Sequence, residues 1–227
     1  MIMVTPLIAA LLLALGSEAP LQQPSPCQPS LEDILSNVKT TSAGINDLRA
    51  EFVQEKVMTV LGEKEKSVGQ IFYKRPDLLV IRHDKPEKVT MWFRGCEVLI
   101  YEEHIDQLRK HLMSEEDRDL SFLAARFDRK ALEKRFSLAL KKAFMEKDEE
   151  LFLVELTPKS EELKADIDNV EVVISRRTWL VRRISIHETN RDVTHITFGE
   201  VWLNTGLSGG KAIPKVPEGK PNIDLSE

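Results

Sequence analysis

Gly69-Gln70-Ile71-Phe72-Tyr73-Lys74-Arg75-Pro76-Asp77-Leu78-Leu79-Val80-Ile81 holds two apolar, aromatic and β-branched runs separated by an Arg-Pro break. Proline has no N–H to give a β-ladder, so Pro76 marks the end of one strand and the approach to the next. Upstream, Leu48, Ala50 and Phe52 alternate with Arg49, Glu51 and Val53, ahead of a charged loop around Gly62. Downstream, Val89 to Phe93 and Glu97 to Tyr101 flank Arg94-Gly95-Cys96, the spacing of a tight hairpin. Short strands in such close succession predict a meander, in which each strand pairs antiparallel with the next.

On either side of this block the periodicity changes. Leu31, Ile34, Leu35 and Val38 recur at helical spacing behind Ser30 and Asp33, which form a capping-box pattern, so a helix is expected to end near Gly44. Ile105, Leu108 and Leu112, set among charged residues, predict a second helix, and Ser114 to Asp117 opens a third that carries Leu120, Leu123 and Phe127. A short helix from Asp128 toward Lys134 follows, and the alternation of Phe136, Leu138 and Leu140 then favours a strand. Further strands are expected over Leu151 to Thr157, Val170 to Ser175, Trp179 to His187 and Val193 to Asn204, with polar breaks at Lys159 to Asp168 and Thr189 to Asp192.

The first 16 residues read as a secretory signal peptide, because an uncharged run from Pro6 to Leu15 is followed by small residues and is too short to span a membrane. Residues 17–29 carry four prolines and no periodicity and read as an extended linker, leaving 30–227 as one domain. Of 227 residues 42% are hydrophobic, enough for a real core, and the net charge of -5 leaves no basic footprint for nucleic acid. Cys27 follows Pro24-Ser25-Pro26, which does not fit a lipid-attachment motif. A bridge between Cys27 and Cys96 and two unpaired thiols are both compatible with the spacing.

Motifs for chemistry are weak. Gly206-Leu207-Ser208-Gly209-Gly210 matches the form of a hydrolase nucleophile elbow, but prolines soon follow and no histidine lies downstream. The five histidines, His83, His104, His111, His187 and His195, form no metal-ligand pattern. Glu102-Glu103 and Glu115-Glu116-Asp117 suit helix starts, where acidic groups meet the positive end of the dipole. Trp92, Trp179 and Trp202 fall on expected strands, either as core or as the lining of an apolar cavity. No catalytic residue, metal or cofactor is therefore expected, and the chain reads as a binding protein rather than an enzyme.

The order of these elements resembles the LolA family of periplasmic outer-membrane lipoprotein carriers. Carrying the likeness are Phe52-Val53-Gln54, the Gly69 to Pro76 segment, Pro86, the hairpin ending at Tyr101, Leu156-Thr157-Pro158 and Ile213-Pro214-Lys215-Val216-Pro217-Glu218-Gly219. The resemblance implies a mainly β (α+β) fold: an unclosed antiparallel β barrel with helices covering its mouth as a lid. It also implies a monomer in the periplasm that takes acylated lipoproteins from an inner-membrane ABC transporter to an outer-membrane acceptor. Arg75 takes the position of the family arginine that bonds to lid backbone and tunes opening, whereas without the resemblance it reads as a residue capping a strand. The hairpin here has Arg94-Gly95-Cys96 in place of the usual Asp-Gly turn.

On this reading Leu48, Ala50, Phe52, Ile71, Tyr73 and Leu79 line a lipid-binding cavity, and Ile105, Leu108 and Leu112 fill it from a lid when it is empty. Other readings are a sensor or a carrier of another lipid or glycolipid on the same fold, a secreted lipid hydrolase, and a purely structural envelope protein.

Overall fold

The computed structural model describes residues 29–113, 129–207, 213–219 and 222–224. Helix α1 (Leu31–Ala43) opens with the expected capping box: Ser30 Oγ accepts from the Asp33 N–H at 3.2 Å, and the Asp33 carboxylate accepts from the Ser30 N–H at 2.9 Å. Gly44 closes its C-terminal end. Helical spacing gathers Ile34, Leu35 and Val38 on one face, and all three are fully buried.

Six strands follow: β1 (Asp47–Met58), β2 (Glu63–Lys74), β3 (Leu78–Lys85), β4 (Val89–Arg94), β5 (Glu97–Glu102) and β6 (Gln107–Leu112). Helix α2 (Arg129–Arg135) then leads into β7 (Phe136–Glu146) and β8 (Glu149–Pro158). Helix α3 (Glu161–Asp166), β9 (Ile167–Ser175), β10 (Val181–Glu188) and β11 (Val193–Leu203) complete the sheet, and β12 (Asn222–Asp224) is appended to it. The sheet order is β12-β6-β5-β4-β3-β2-β1-β11-β10-β9-β8-β7. Two antiparallel meanders are thus joined by the pairing of β1 with β11, and β12 runs parallel to β6. The expected class, an unclosed antiparallel sheet with a few helices, is the observed one.

Strand alternation divides the sheet into two faces. The inner face carries one large apolar cluster that includes the α1 residues, Phe152, Val154 and Leu156 from β8, and Val170, Val172 and Ile174 from β9. On the outer face Phe72, Val80 and Trp92 form a smaller cluster, against which Ile213 packs. Trp92 Nε1 donates to the Pro214 carbonyl at 2.7 Å, fixing the C-terminal segment across that cluster.

Three sequence expectations are corrected. Residues 107–112 form strand β6, not a helix: Asp106 adopts the left-handed conformation at φ 54°, which stops the short 3-10 turn at 103–105. Beyond it, β5 offers an unpaired ladder and cross-strand charges, with Arg109 against Glu102 and Lys110 Nζ 2.8 Å from Glu97. Ladder pairing and these ion pairs override a helical spacing of only three apolar residues. Trp179 lies in the β9–β10 turn at φ 55°, not on a strand, and its ring stacks on Phe152 at 5.8 Å. The polar break at 159–168 contains α3, which Ser160 caps by accepting from the Leu163 N–H at 3.3 Å. The helix expected from Ser114 to Phe127, the signal peptide and Cys27 lie outside the described residues.

Gly69 is required by a close approach. A Cβ at this position would lie 2.0 Å from the Arg82 carbonyl oxygen and 2.8 Å from Phe52 Cζ. The Phe52 ring thus crosses the glycine and meets His83 edge-on, with centroids 5.1 Å apart. Burial holds the imidazole below its ordinary value of 6.5, and His83 Nδ1 lies 3.2 Å from Ser67 Oγ. Gly69→Ala is expected to lower unfolding free energy by roughly 1–3 kcal/mol in urea titrations, because backbone must move to admit the methyl. Because the folded-state pKa of His83 is depressed, the unfolded chain binds the proton more readily. Its contribution to stability is complete above 6.5 and lost as pH falls through the lowered folded value. Thermal melts across that window should show the decline in wild type and a shallower one in His83→Phe.

Candidate functional site

The inner face has the make-up of an apolar binding surface, but α1 occupies it. Leu48, Ala50, Phe52, Ile71, Tyr73 and Leu79, the six residues singled out from the sequence, all lie buried in the inner cluster beside Ile34, Leu35 and Val38. What remains between Leu48, Ala50, Ile71, Val181 and Phe198 is a void of about 10 Å³, scarcely enough for one water. The packing around these residues is therefore tight, and Ile34, Leu35 and Val38 of α1 belong to the same cluster.

Ile105, Leu108 and Leu112 take no part in it. Ile105 and Leu112 are exposed, and Leu108, although buried, pairs with Tyr101 of the outer face. Among the described helices, α1, α2 through Leu132 and α3 through Leu163 pack on the inner cluster.

Polar contacts pin both ends of α1. At its C-terminal end the last helical carbonyls lack intrahelical partners, and Arg75 supplies donors: Nη2 to Ser42 O at 3.2 Å and Ala43 O at 2.8 Å, and Nε to Ile45 O at 2.6 Å. The flat guanidinium reaches three carbonyls at once, and its charge suits the negative end of the helix. From the other side Asn204 Nδ2 donates to the Gly44 carbonyl at 2.9 Å, while its Oδ1 accepts from the Asn46 N–H at 2.7 Å. Asn204 is itself held left-handed at φ 54°, and the buried Asp47 carboxylate accepts from the N–H groups of Thr205 at 2.8 Å and Gly206 at 3.1 Å.

Asp47 and Asn204 were not singled out from the sequence. The two are 157 residues apart, and only a polar residue at each strand end could have hinted at them.

At the N-terminal end of α1 the hold is ionic and wet. Arg129 of α2 donates to Glu32 at 2.5 Å and Glu133 at 2.7 Å, and Lys159 Nζ donates to the Glu133 carbonyl at 2.5 Å. The hydrogen bond from Arg129 lowers the Glu32 pKa below the ordinary carboxylate value. Beneath these charges a cleft of about 610 Å³ separates α1 from β7, walled by Leu31, Leu35, Phe136 and Leu138. Exposed pairs of this kind hold weakly, since water screens them. α1 is thus bound firmly at one end and loosely at the other, over an apolar surface.

Comparison with known proteins adds a family and a fold. The family model for outer membrane lipoprotein carrier protein LolA matches residues 43–210. No curated protein matches the chain in sequence. Among solved structures, a conserved uncharacterised protein from Thermus thermophilus is similar with a TM-score of 0.56 and 11% identity, over 85% of this chain and 98% of that one. A LolA superfamily protein from Nitrosomonas europaea gives 0.43 and 10%, over 78% and 94% of the two chains. A domain of a putative outer membrane lipoprotein-sorting protein from Vibrio parahaemolyticus gives 0.43 and 10%, over 77% and 92%. At 11% identity the likeness to the Thermus thermophilus protein is one of fold.

If Arg75 is what fixes the end of α1, Arg75→Ala should speed amide hydrogen exchange in residues 34–45 by roughly tenfold to hundredfold, the range for losing charge-assisted bonds to carbonyls. β8 and β9 should stay protected. Arg75→Lys should fall between, because an ammonium cannot span three carbonyls in one plane. Equal exchange in all three proteins would remove Arg75 from this role.

Proposed function

The chain belongs to the LolA family of outer membrane lipoprotein carrier proteins, and from that premise we propose that it shelters lipoprotein acyl chains on its inner face, α1 withdrawing as they enter. In this reading it is an exported protein of the periplasm, taking cargo from an inner-membrane transporter to an outer-membrane acceptor. It acts by binding and releasing, without catalysis. Leu48, Ala50, Phe52, Ile71, Tyr73 and Leu79 contact the acyl chain, and Arg75 sets how readily α1 leaves. The observation that carries the proposal is the complete burial of Ile34, Leu35 and Val38 within the apolar cluster of the inner face.

The energetics favour a competing lid. Each buried methylene contributes about 0.8 kcal/mol, so a chain of about fifteen methylenes would gain roughly 12 kcal/mol in an open, preformed cavity. That corresponds to a nanomolar constant for one chain alone and leaves little scope for hand-over. Exposing Ile34, Leu35 and Val38 costs back about 1.5–3 kcal/mol each. Cargo binding then yields only the difference between two burials, which a downstream acceptor can exceed. The cleft between α1 and β7 offers a route of entry at the loosely held end.

The competition can be measured with an environment-sensitive apolar dye displaced by an acylated lipopeptide. Leu35→Ala should lower the unfolding free energy by about 2–5 kcal/mol. It should nevertheless bind both dye and lipopeptide about tenfold more tightly, because less burial is lost when α1 leaves. Far-UV circular dichroism would establish that the variant remains folded. If the variant is destabilised and its affinity is unchanged or weaker, α1 does not compete with cargo and the interior is an ordinary core. Displacement by a glycolipid in preference to the lipopeptide would move the cargo to another lipid class.

A further inference from the structure

The geometry points to a second binding site on the outer face of the sheet, a cationic pocket that takes a phosphate group. It lies across β7 to β11, with Thr197 and Phe198 of β11 in its wall, Phe198 at the β11 register shift reaching it from the inner cluster, and has a volume of about 320 Å³, the lower end of the range of small-ligand sites at about 300 Å³. Leu151 and Val173, both buried, line it, while its charged walls are built by Lys147, Arg177, Arg182 and Arg183 against Glu146 and Glu149. Four cations against two carboxylates leave an excess of two positive charges, on a chain whose net charge is -5. That excess matches the charge of a phosphate monoester, about -1.5 to -2 at neutral pH.

The carboxylates do not saturate the arginines. Arg183 Nη2 stands 3.6 Å from Glu146 and Arg177 Nη2 stands 3.8 Å from Glu149, both beyond hydrogen-bonding distance. One oxygen of Glu149 is engaged by the Ser175 hydroxyl. Among the described residues neither Lys147 nor Arg182 forms an ion pair; Arg182 Nη1 donates only to the Gly199 carbonyl, at 3.5 Å. Forked guanidinium donors are therefore left with capacity for a planar or tetrahedral oxyanion.

The backbone is shaped to bring them together. Neighbouring residues of a regular strand point to opposite faces, yet consecutive Arg182 and Arg183 both reach this pocket. What permits it is the register shift between Val181 and Arg183 in the pairing of β10 with β9. A bulge of this kind re-aims a side chain at the cost of ladder pairing. Lys147 comes from the β7–β8 turn, held left-handed at φ 48°. A single-residue turn or strand end could be surface decoration; a bulge, a turn and a hairpin loop that deliver four cations over buried apolar side chains form a site.

A phosphate could be presented by a lipid headgroup or by a soluble ester, and the test separates them. Calorimetric titration of the full chain with glycerol 3-phosphate and with inorganic phosphate forms one arm. Co-sedimentation with phosphatidylglycerol vesicles, against phosphatidylcholine vesicles, forms the other. The expected result is binding in at least one arm, weakened about tenfold or more in the Lys147→Gln, Arg182→Gln double variant. Neither residue has an ion pair to lose, so the fold should be unaffected, and circular dichroism will verify it. Amide and guanidinium resonances of Arg177, Arg182 and Arg183 should shift on binding. Binding to anionic vesicles alone assigns the site to a headgroup, and binding to soluble phosphate alone assigns a free ester. No binding in either arm, or equal binding by the double variant, overturns the site. Acyl-chain binding on the inner face is untouched by either outcome.

Discussion

An open sheet with an apolar inner face must cover that face with something, and here the covering is the apolar stripe of α1. A strand-rich sheet that neither closes on itself nor stacks on a second sheet would leave Leu48, Phe52, Phe152, Val154 and Val172 in water. Insertion of Ile34, Leu35 and Val38 buries both partners at once. The remainder of the architecture follows from this contact: the N-cap that starts α1 at Ser30, the Gly44 that stops it, and the short passage from Ile45 into β1 that returns the chain to the sheet. A helix used as a plug is also removable in a way that a packed strand is not. It keeps its own backbone hydrogen bonds wherever it goes, so withdrawal costs burial and end contacts but no ladder.

The end contacts differ in kind, and the difference gives withdrawal a direction. Arg75 and Asn204 satisfy carbonyl groups that would otherwise be orphaned at the C-terminal end of α1, through several short bonds, of which the one to Ile45 O is partly buried. At the N-terminal end the capping box lies within the helix and travels with it, and among the described residues the polar tie from α1 to α2 is the exposed Glu32–Arg129 pair. Loss of a screened ion pair is cheap. Loss of three carbonyl partners near the sheet is costly. On the proposed carrier reading, α1 would swing about its C-terminal end and open the cleft toward β7 first.

Much of this was legible in the sequence wherever a local rule and the tertiary environment agree. The capping box and helical spacing of Leu31 to Val38 located α1, and the strands around Arg75-Pro76 were placed by alternation and proline. Five of the inner residues, Leu48, Ala50, Phe52, Ile71 and Tyr73, could be grouped by parity because β1 and β2 pair without a register shift up to the turn. Failures arose where long-range pairing decides. Residues 107–112 have a helix-compatible spacing, but they complete the ladder of β5. Trp179 has strand character, but it occupies a left-handed turn, where it can stack on Phe152. Asp47 and Asn204 are ordinary polar residues at strand ends, and only the folded chain brings them to the same helix terminus.

Parity could not be carried into the second meander for a specific reason. Val181 and Ile184 are three residues apart, as are Phe198 and Val201, and Leu140 and Ala143; yet each pair belongs to or packs on the inner cluster. An odd separation should put one member of each pair outside. The register shifts in β10, β11 and β7 supply the extra residue that brings both inside. Each bulge also bends its strand and increases the local twist. Three of them in one half of the sheet provide the curvature that wraps it round α1 without barrel closure. The residues that make the apolar pattern look irregular in the sequence are thus the ones that curve the sheet around α1.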